Sequence, residues 1–237
     1  VFRKNNRLDT DRTFTIFTDQ FGRMDIFAKA IRKINSKLKG GIDIFFLSEI
    51  EFIQGKNRKT LTDATAIKRF SYIPKDIKKM KIAHSISVMM DKFLRGQERD
   101  QRILELAIDV FEKINDDQYF ERLEKIIPFY FFWNFMDALG HKPEVNKCSV
   151  CGLNLEIENV YFSCKEGGVI CKACSINKEG IKNINANVVK MLRVLFQKDW
   201  EFLKRVKIDN LSQKMLKEAT EDYYKYLSYG YCPDKNN

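Results

Sequence analysis

The first 70 residues alternate apolar and polar positions in short segments, which is the pattern of half-buried β-strands. Turn-forming residues at 19–22, 40–41 and 55–57 separate these segments. Several short strands within about 70 residues predict a small barrel or sandwich, and OB-folds and SH3-like barrels both have this size. The apolar positions of the predicted strands are Phe14, Ile16, Met24, Ile26, Ile42, Ile44, Phe46, Ile50, Phe52 and Leu61.

From Pro74 onward the apolar positions recur with a helical period. The segment 119–139 is apolar on all sides after Ile126, so one helix there is expected at the centre of a bundle. Val188 to Phe202 predicts a fourth helix, and 215–227 predicts a fifth. The stripes of the first two predicted helices are Met80, Ala83, Ile86, Met90 and Phe93, and Ile103, Ala107, Val110 and Ile114.

Five of the six cysteines lie between 148 and 174, and they include two C-x-x-C pairs separated by nineteen residues. This spacing is typical of a four-cysteine zinc site, in which two tight turns bring four thiolates to one tetrahedral ion. Four thiolates leave no open coordination position, so the predicted Zn²⁺ is structural, with one ion per chain. Disulfides or a redox dithiol are the alternatives. The predicted ligands are Cys148, Cys151, Cys171 and Cys174, whereas Cys164 and Cys232 are not expected to be ligands.

The cysteine pairs divide the α+β chain into four predicted parts. A β module spans 1–72, a helical domain spans 73–146 and resumes at 181–237, and a zinc module at 147–180 is inserted between the helices. The predicted fold class is therefore a small N-terminal β-barrel followed by a helical domain that carries a four-cysteine insert.

Composition changes this picture mainly through charge. The chain has 237 residues and a net charge of +10, and an apolar fraction of 44% excludes an intrinsically disordered chain. Residues 1–70 contain 15 Lys and Arg against 8 Asp and Glu, so most of the excess lies in the β module. This excess favours an acidic partner such as nucleic acid.

One basic segment of the β module is a candidate for phosphate contact, because only Asp25 opposes its positive charges. Phe21 and Phe27 lie among these cations, where they serve either base stacking or the core. A second basic group at 75–81 opposes the macrodipole of the first predicted helix, which indicates either an anionic partner or a solvated helix end. The candidate nucleic-acid residues are Arg23, Lys29, Arg32, Lys33, Ser36, Lys37 and Lys39.

Signals for other classes are weak. The N-terminal segment is charged and has no apolar stretch typical of a signal peptide, and the most apolar run, 126–139, is too short for a bilayer. A cytoplasmic protein without a membrane partner is therefore expected. A nuclease-type enzyme needs acidic metal ligands, and the Asp9 and Asp11 pair is interpreted as a turn. A zinc-containing adaptor that binds nucleic acid, or whose charge is incidental, remains an alternative.

Several motifs in order resemble one family. Residues 17–23 resemble its early strand and turn, 28–37 its "AKG-x-R-x-x-KSR" segment, and 132–143 its "LL-x-x-LG-x-x-P" stretch. The paired cysteines with Gly167-Gly168 resemble its zinc module. The chain is thus similar to the RecO family of bacterial recombination mediators, although Ala30, Asn35 and Lys37 stand where that family has Gly, Lys and Arg.

The resemblance implies an OB-fold, a helical domain with an inserted zinc module, and no covalent catalysis. It implies binding to single- and double-stranded DNA, annealing of complementary strands, and action with RecR and, in many bacteria, RecF to load RecA. It also implies a nucleoid-associated role in DNA repair.

Annealing of coated strands implies contact with the single-strand-binding protein, whose acidic C-terminal tail ends in apolar residues. An apolar pocket rimmed by cations would bind such a tail. Residues 196–205, expected within one helix, are a candidate for this contact, and ordinary core packing is the alternative. The candidate residues are Phe196, Trp200, Lys204 and Arg205.

Overall fold

A computed structural model describes residues 1–7, 9–96, 99–156 and 159–230. The chain divides into two units, Val1–Ile127 and Pro128–Asn237. Cys232 lies outside the described residues. Within the described ranges, no helix combines the length and apolar character that crossing a membrane requires.

The first unit begins with a five-stranded sheet, which confirms the predicted β module. The strand order is β1-β2-β3-β5-β4, with β3 and β5 parallel and the other neighbours antiparallel. This arrangement is compatible with a partly open OB-fold, and the sheet is not a closed barrel over the described strands. The strands are β1 (Arg3–Arg7), β2 (Asp11–Thr18), β3 (Gly22–Ala28), β4 (Phe46–Gln54) and β5 (Lys59–Arg69).

The predicted alternation places the expected side chains in the core of this sheet. Phe14, Ile16, Met24 and Ile26 are buried together with Leu61. Their inward faces bury apolar area, and this burial is the main stabilising contribution of the module. Between Phe14 and Ile26 the strands are joined by a tight turn in which Gly22 has a φ of 62°.

The segment between β3 and β4 differs from the predicted strand at 42–46. It forms a 3-10 helix at Lys37–Gly40, and β4 begins only at Phe46. Gly41 lies so close to β5 that an added Cβ would be 1.7 Å from the Ala64 carbonyl oxygen. Phe45 then takes a left-handed backbone with a φ of 61°, which breaks the extended conformation that the alternation predicted.

After β5 the described residues of the first unit form a 3-10 helix at Ile73–Lys75 and the helices α1 (Ile77–Phe93), α2 (Gln101–Asn115) and α3 (Asp117–Leu123). Each α-helix begins after an aspartate whose carboxylate accepts backbone N–H groups of the first turn. The predicted stripe of α1 is buried at Ala83, Ile86 and Met90, whereas Met80 is 37% exposed. Met80, in the first turn of α1, is therefore more exposed than the periodicity predicted.

The predicted central helix is α4 (Ile127–Ala138), and the second unit also contains α5 (Lys172–Ser175), α6 (Ala186–Gln197), α7 (Trp200–Leu203) and α8 (Asn210–Tyr229). The segment predicted as one helix over 119–139 is interrupted at 124–126, because Pro128 lacks an N–H and suits the first turn of a new helix. Burial of α4 is confirmed, and its fully buried side chains are Ile127, Tyr130, Phe131, Phe132, Trp133, Asn134, Phe135 and Met136.

The fourth predicted helix is also shorter than expected. α6 ends at Gln197, since Lys198 adopts a left-handed conformation with a φ of 59°. Asp199 then caps α7 by accepting the Phe202 N–H. Residues 196–205 therefore include the end of α6, a turn and the whole of α7, which corrects the expectation of one helix.

Candidate metal centre and nucleic-acid interface

Four cysteines of the second unit converge on one point. The sulfur atoms of Cys148, Cys151, Cys171 and Cys174 all lie within 4.8 Å of one another. The Cys151 and Cys171 sulfurs are 4.0 Å apart. A tetrahedral zinc site with Zn–S bonds of about 2.3 Å places sulfurs ~3.8 Å apart, whereas a disulfide places them about 2 Å apart. The four cysteines are therefore positioned to bind a metal ion.

The first pair lies in a tight turn that closes on itself. The Cys148 N–H donates to the Leu153 carbonyl at 2.8 Å, and the Gly152 N–H donates to the Cys148 carbonyl at 2.8 Å. Gly152 has a φ of 72°, a conformation that a side chain would strain. The turn brings Cys151 back beside Cys148, which is the geometry that the C-x-x-C spacing predicted.

The second pair is held on a three-stranded sheet of order β7-β6-β8. Cys171 ends β7, and Cys174 follows in the single turn α5. The segment before the first pair lies against β7, since the Val169 N–H donates to the Glu144 carbonyl at 2.8 Å. The elements are β6 (Val160–Ser163), β7 (Gly168–Cys171), α5 (Lys172–Ser175) and β8 (Ile181–Ile184).

Gly168 permits this close approach. A Cβ there would lie 2.3 Å from the Glu144 carbonyl oxygen, well inside contact distance. The Ser149 N–H donates to the Val169 carbonyl at 2.9 Å, so the backbone contact between β7 and the segment 144–149 extends to the first cysteine pair. The two cysteine pairs are therefore registered against each other by backbone hydrogen bonds.

The environment of the sulfurs favours a thiolate at Cys148. Burial works to raise its pKa, but the backbone N–H groups of Cys151 and Cys171 lower it to about 6. Burial and the neighbouring thiols raise the pKa of Cys174 to about 12. Several like charges cannot coexist here without a cation, and a divalent metal supplies that charge. Cys164 is buried and does not belong to the cluster.

Five of the cations predicted to bind nucleic acid lie on one loop after β3. Lys29, Arg32, Lys33, Lys37 and Lys39 are exposed there, and Ser36 is half-buried at the start of the 3-10 helix. Ile31 anchors the loop in the sheet core. We call residues 29–39 the basic loop.

Two backbone hydrogen bonds fix the start of the basic loop. The Ala30 N–H donates to the Asp11 carboxylate at 2.7 Å, and the Arg32 N–H donates to the Thr10 carbonyl at 2.9 Å. Ala30 has a φ of 54°, in the region that favours glycine. This conformation accounts for the Gly that the AKG-x-R-x-x-KSR motif has at this position. The loop departs from that segment in residue type while keeping the backbone shape.

Two predicted cations lie elsewhere. Arg23 is held in the first unit by an ion pair with Asp91 of α1, at 2.7 Å from Nη2. In the second basic group, Lys79 is buried and its ammonium contacts Asp117 at 2.5 Å and the Asn115 carbonyl at 3.2 Å. Lys79 therefore joins α1 to the start of α3 and is not available to an external anion.

The sheet also carries three cations, Arg7, Arg58 and Lys59, that are not among the predicted nucleic-acid residues. A groove of about 450 Å³ on one face of the sheet is lined by Arg7, Phe27, Lys29, Arg58 and Lys59, with the carboxylates of Asp11 and Asp25. We call it the sheet groove. Lys59 is opposite Ile26 through the parallel β3–β5 pairing, and this long-range contact has no signal in local sequence.

The four candidate tail-binding residues are not brought together on one helix face. Trp200 is buried, with its ring centroid 4.0 Å from that of Tyr130. Lys204 forms an ion pair with Glu201 at 2.8 Å, while Arg205 is exposed. Phe196 is half-buried, with the Lys142 ammonium 4.6 Å from its ring centroid.

A neighbouring groove in the second unit has the chemistry that was expected of those residues. Its volume is about 470 Å³, and its cations are Lys190, Arg193 and Lys207. Its lining contains no acidic residue. Phe202, 46% exposed, stands at its edge. We call it the helix groove, and its apolar lining is Met191, Val194, Phe202, Val206 and Ile208.

Comparison with known proteins matches both parts of the chain to one family. The family model described as recombination protein O N terminal matches residues 1–70, and the one described as recombination protein O C terminal matches residues 74–233. The boundary between the two matches falls where α-helix replaces the sheet.

Curated relatives agree over most of the chain. A DNA repair protein RecO of Dehalococcoides mccartyi is 29% identical over 209 residues, which cover 88% of this chain and 81% of the relative. A DNA repair protein RecO of Caldanaerobacter subterraneus is 24% identical, covering 94% and 88%. That of Listeria innocua is 24% identical, covering 94% and 86%.

Proposed function

The chain belongs to the recombination protein O family, and we propose on that premise that it binds DNA through the basic loop during repair. The observation that carries the proposal is the set of five exposed cations on a loop whose backbone is fixed by Asp11 and Thr10. Cations on a fixed loop neutralise phosphates with little loss of backbone entropy, and such contacts are independent of base sequence.

Family membership supports a mediator role for this DNA contact. We propose that the protein binds single- and double-stranded DNA, anneals complementary strands, and acts with RecR and RecF in loading RecA. Its work is binding and not covalent chemistry, and it takes place at the nucleoid in the cytoplasm. The exposed loop supports the annealing step, because cations that screen two phosphate backbones lower the repulsion between strands.

We propose that Zn²⁺ is the ion of the cysteine centre. Four sulfur ligands at tetrahedral spacing suit zinc, and the closed ligand set gives it a structural role. When bound, zinc supplies the positive charge that lets all four thiols deprotonate together. Backbone N–H groups at Cys148 orient that sulfur before any ion arrives.

The test of DNA binding removes four cations of the basic loop together: Lys29, Arg32, Lys33 and Lys37, each replaced by Ala. Lost phosphate contacts should weaken binding to unrelated sequences about equally. The slope of log K against log salt on duplex DNA should become shallower by about 3–4, since each contact contributes about 0.9. Fluorescence anisotropy over a salt series measures both quantities.

A matched control removes four exposed lysines of the second unit, Lys165, Lys172, Lys214 and Lys217, so the change in net charge is the same. This control should bind DNA with a nearly unchanged slope. Equal loss in both variants would show that only net charge matters, and unchanged binding in the loop variant would refute the basic loop as the contact.

A second proposed contact is the acidic C-terminal tail of the single-strand-binding protein, in the helix groove. Three cations and an apolar floor without an acidic residue complement a peptide that is acidic and ends in apolar side chains. Lys190→Glu with Lys207→Glu should abolish binding of a tail peptide at low salt, measured by calorimetry. Unchanged peptide affinity in that variant would place the contact elsewhere.

A further inference from the structure

The sheet groove contains a stacked pair of side chains at its floor. The Arg58 guanidinium carbon lies 3.9 Å from the centroid of the Phe27 ring, which is a close cation–π contact. Phe27 is half-buried in β3, and Arg58 is exposed. The guanidinium therefore lies over the Phe27 ring, and the exposure of Arg58 leaves part of this group open to solvent.

The backbone around Arg58 is fixed as well. Arg58 ends the β4–β5 turn, where its carbonyl accepts the Gly55 N–H at 3.0 Å. The next residues enter β5 and pair with Ile26 and Phe27 of β3. Both members of the stack are thus placed by adjacent strands of one sheet, and little ordering is left for a ligand to induce.

Charge in the sheet groove is predominantly positive. Arg7, Lys29, Arg58 and Lys59 line it against two carboxylates. Both carboxylates are engaged within the protein, since Asp25 accepts the Thr15 hydroxyl at 2.6 Å and Asp11 accepts the Ala30 N–H. The cations therefore face the groove in excess, and an anionic ligand with a flat apolar part fits both of its features.

We propose that the sheet groove binds a nucleotide of single-stranded DNA, with the base stacked on the exposed face of Arg58. The stack Phe27–Arg58–base continues a geometry already present in the protein, and guanidinium planes are common stacking partners of unpaired bases. Lys29, Arg7 and Lys59 flank the stack and contact the adjoining phosphates. A volume of about 450 Å³ accommodates one nucleotide.

This inference rests on the proposed DNA binding and adds a preference to it. A base in a duplex already stacks on both neighbours, so only an unpaired base can reach Arg58. The basic loop contacts phosphates of either form, whereas the sheet groove favours single strands. The first contact gives affinity, and the second distinguishes single strands from duplexes.

The test measures binding of the 237-residue chain to three labelled ligands of equal length: an oligo-dT strand, an abasic strand with the same phosphates, and a duplex. The native protein should bind oligo-dT about tenfold more tightly than the abasic strand, which corresponds to one stacked base. Arg58→Lys keeps the charge but removes the planar group, so it should reduce that ratio to near one. Its duplex affinity should be unchanged.

Phe27→Leu serves as a second variant, because it leaves Arg58 in place but removes the ring that orients it. It should lower the same ratio by several-fold, with thermal unfolding showing that the sheet is folded. Lys56→Ala is the matched control in the same turn, and it should lower the affinity for all three ligands by the same factor. Lys56 is exposed and does not line the groove.

The outcomes separate the two proposals. A dT-to-abasic ratio near one in the native protein, or a full ratio retained in Arg58→Lys, overturns the stacking site while DNA binding stands. If the native protein binds none of the three ligands, the proposed function itself fails.

Discussion

The cysteine centre and the basic loop solve the same problem, the fixing of charged groups near one another, in different ways. In the cysteine centre four sulfurs lie within 4.8 Å of one another, and their thiolate forms would need a cation to neutralise them, so a bound ion and the local fold would depend on each other. In the basic loop the cations point outward from a backbone held by neutral and anionic groups of the sheet itself. A metal ion would complete the first region, whereas the backbone of the second is fixed by contacts within the protein.

The largest loss of structure is expected from a substitution in the cysteine centre. Cys171→Ser removes one thiolate, and zinc binding contributes on the order of 10 kcal/mol in small zinc modules. Residues 147–180 should lose their fixed structure, while the N-terminal sheet should stay folded. Hydrogen exchange measures both regions in one experiment, and elemental analysis reports the metal content.

Cys164→Ser is the matched control, since Cys164 is outside the cluster, and it should retain one metal ion per chain. A native protein without stoichiometric metal would contradict the zinc proposal. Equal exchange rates in Cys171→Ser and the native protein would show that the module does not depend on its ion.

A smaller loss of zinc affinity is expected from a change at Gly168, where the backbone contact with Glu144 aligns the two cysteine pairs. Gly168→Ala places a methyl group against the Glu144 backbone, which must move by more than half an ångström. Such overpacking costs about 1–3 kcal/mol, and zinc affinity measured by competition with a chelator should fall accordingly. Gly40→Ala in the first unit, where an added Cβ would meet only the Arg69 side chain at 3.9 Å, should leave zinc affinity unchanged.

The first unit offers a third prediction at Lys79. Lys79→Met removes the ammonium that joins α1 to Asp117 and the Asn115 carbonyl. The loss should be about 1–2 kcal/mol in urea unfolding, at the lower end for a charged hydrogen bond because Asp117 is 73% exposed. Lys81→Met, on the exposed side of the same helix, should leave the unfolding midpoint unchanged, and an equal shift in both would disprove the role of the buried contact.

The smallest expected change in stability is at the start of the basic loop. Ala30→Gly relieves the left-handed backbone, for which a side chain costs about 1 kcal/mol, but it also makes the unfolded chain more flexible. The net gain in unfolding free energy should be about 0.5 kcal/mol, and DNA affinity should be nearly unchanged. A marked loss of DNA affinity would mean that the loop shape is not set by Asp11 and Thr10.

The predictability of the two regions follows from the range of the contacts involved. The four ligands could be identified from sequence because each pair is local and only the spacing between pairs must permit closure. The order of the strands could not, since the parallel pairing of β3 with β5 joins residues more than thirty positions apart. Arg58 and Phe27 meet only through that pairing, so the sheet groove had no local signal.

The positions at which helices end were also not predictable from the periodicity. Periodicity located α6 and α8, but it extended α6 through residues that turn at Lys198 and begin again after Asp199. A capping aspartate after an ordinary lysine is a weak sequence signal, because lysine rarely adopts a left-handed backbone. Burial of Lys79 was equally hidden, since its partners follow in α2 and α3.

The contact between Asp11 and the Ala30 N–H makes the basic loop responsive to acid. This hydrogen bond is the largest influence on the Asp11 carboxyl and lowers its pKa. A carboxyl whose pKa is lower in the folded state stabilises that state above its unfolded pKa, and the contribution disappears as pH falls through the folded value. Because Asp11 holds the loop at its first turn, acidification should release the backbone there while the cations keep their charge. The protein would then attract DNA as strongly from a distance but hold it on a less ordered loop.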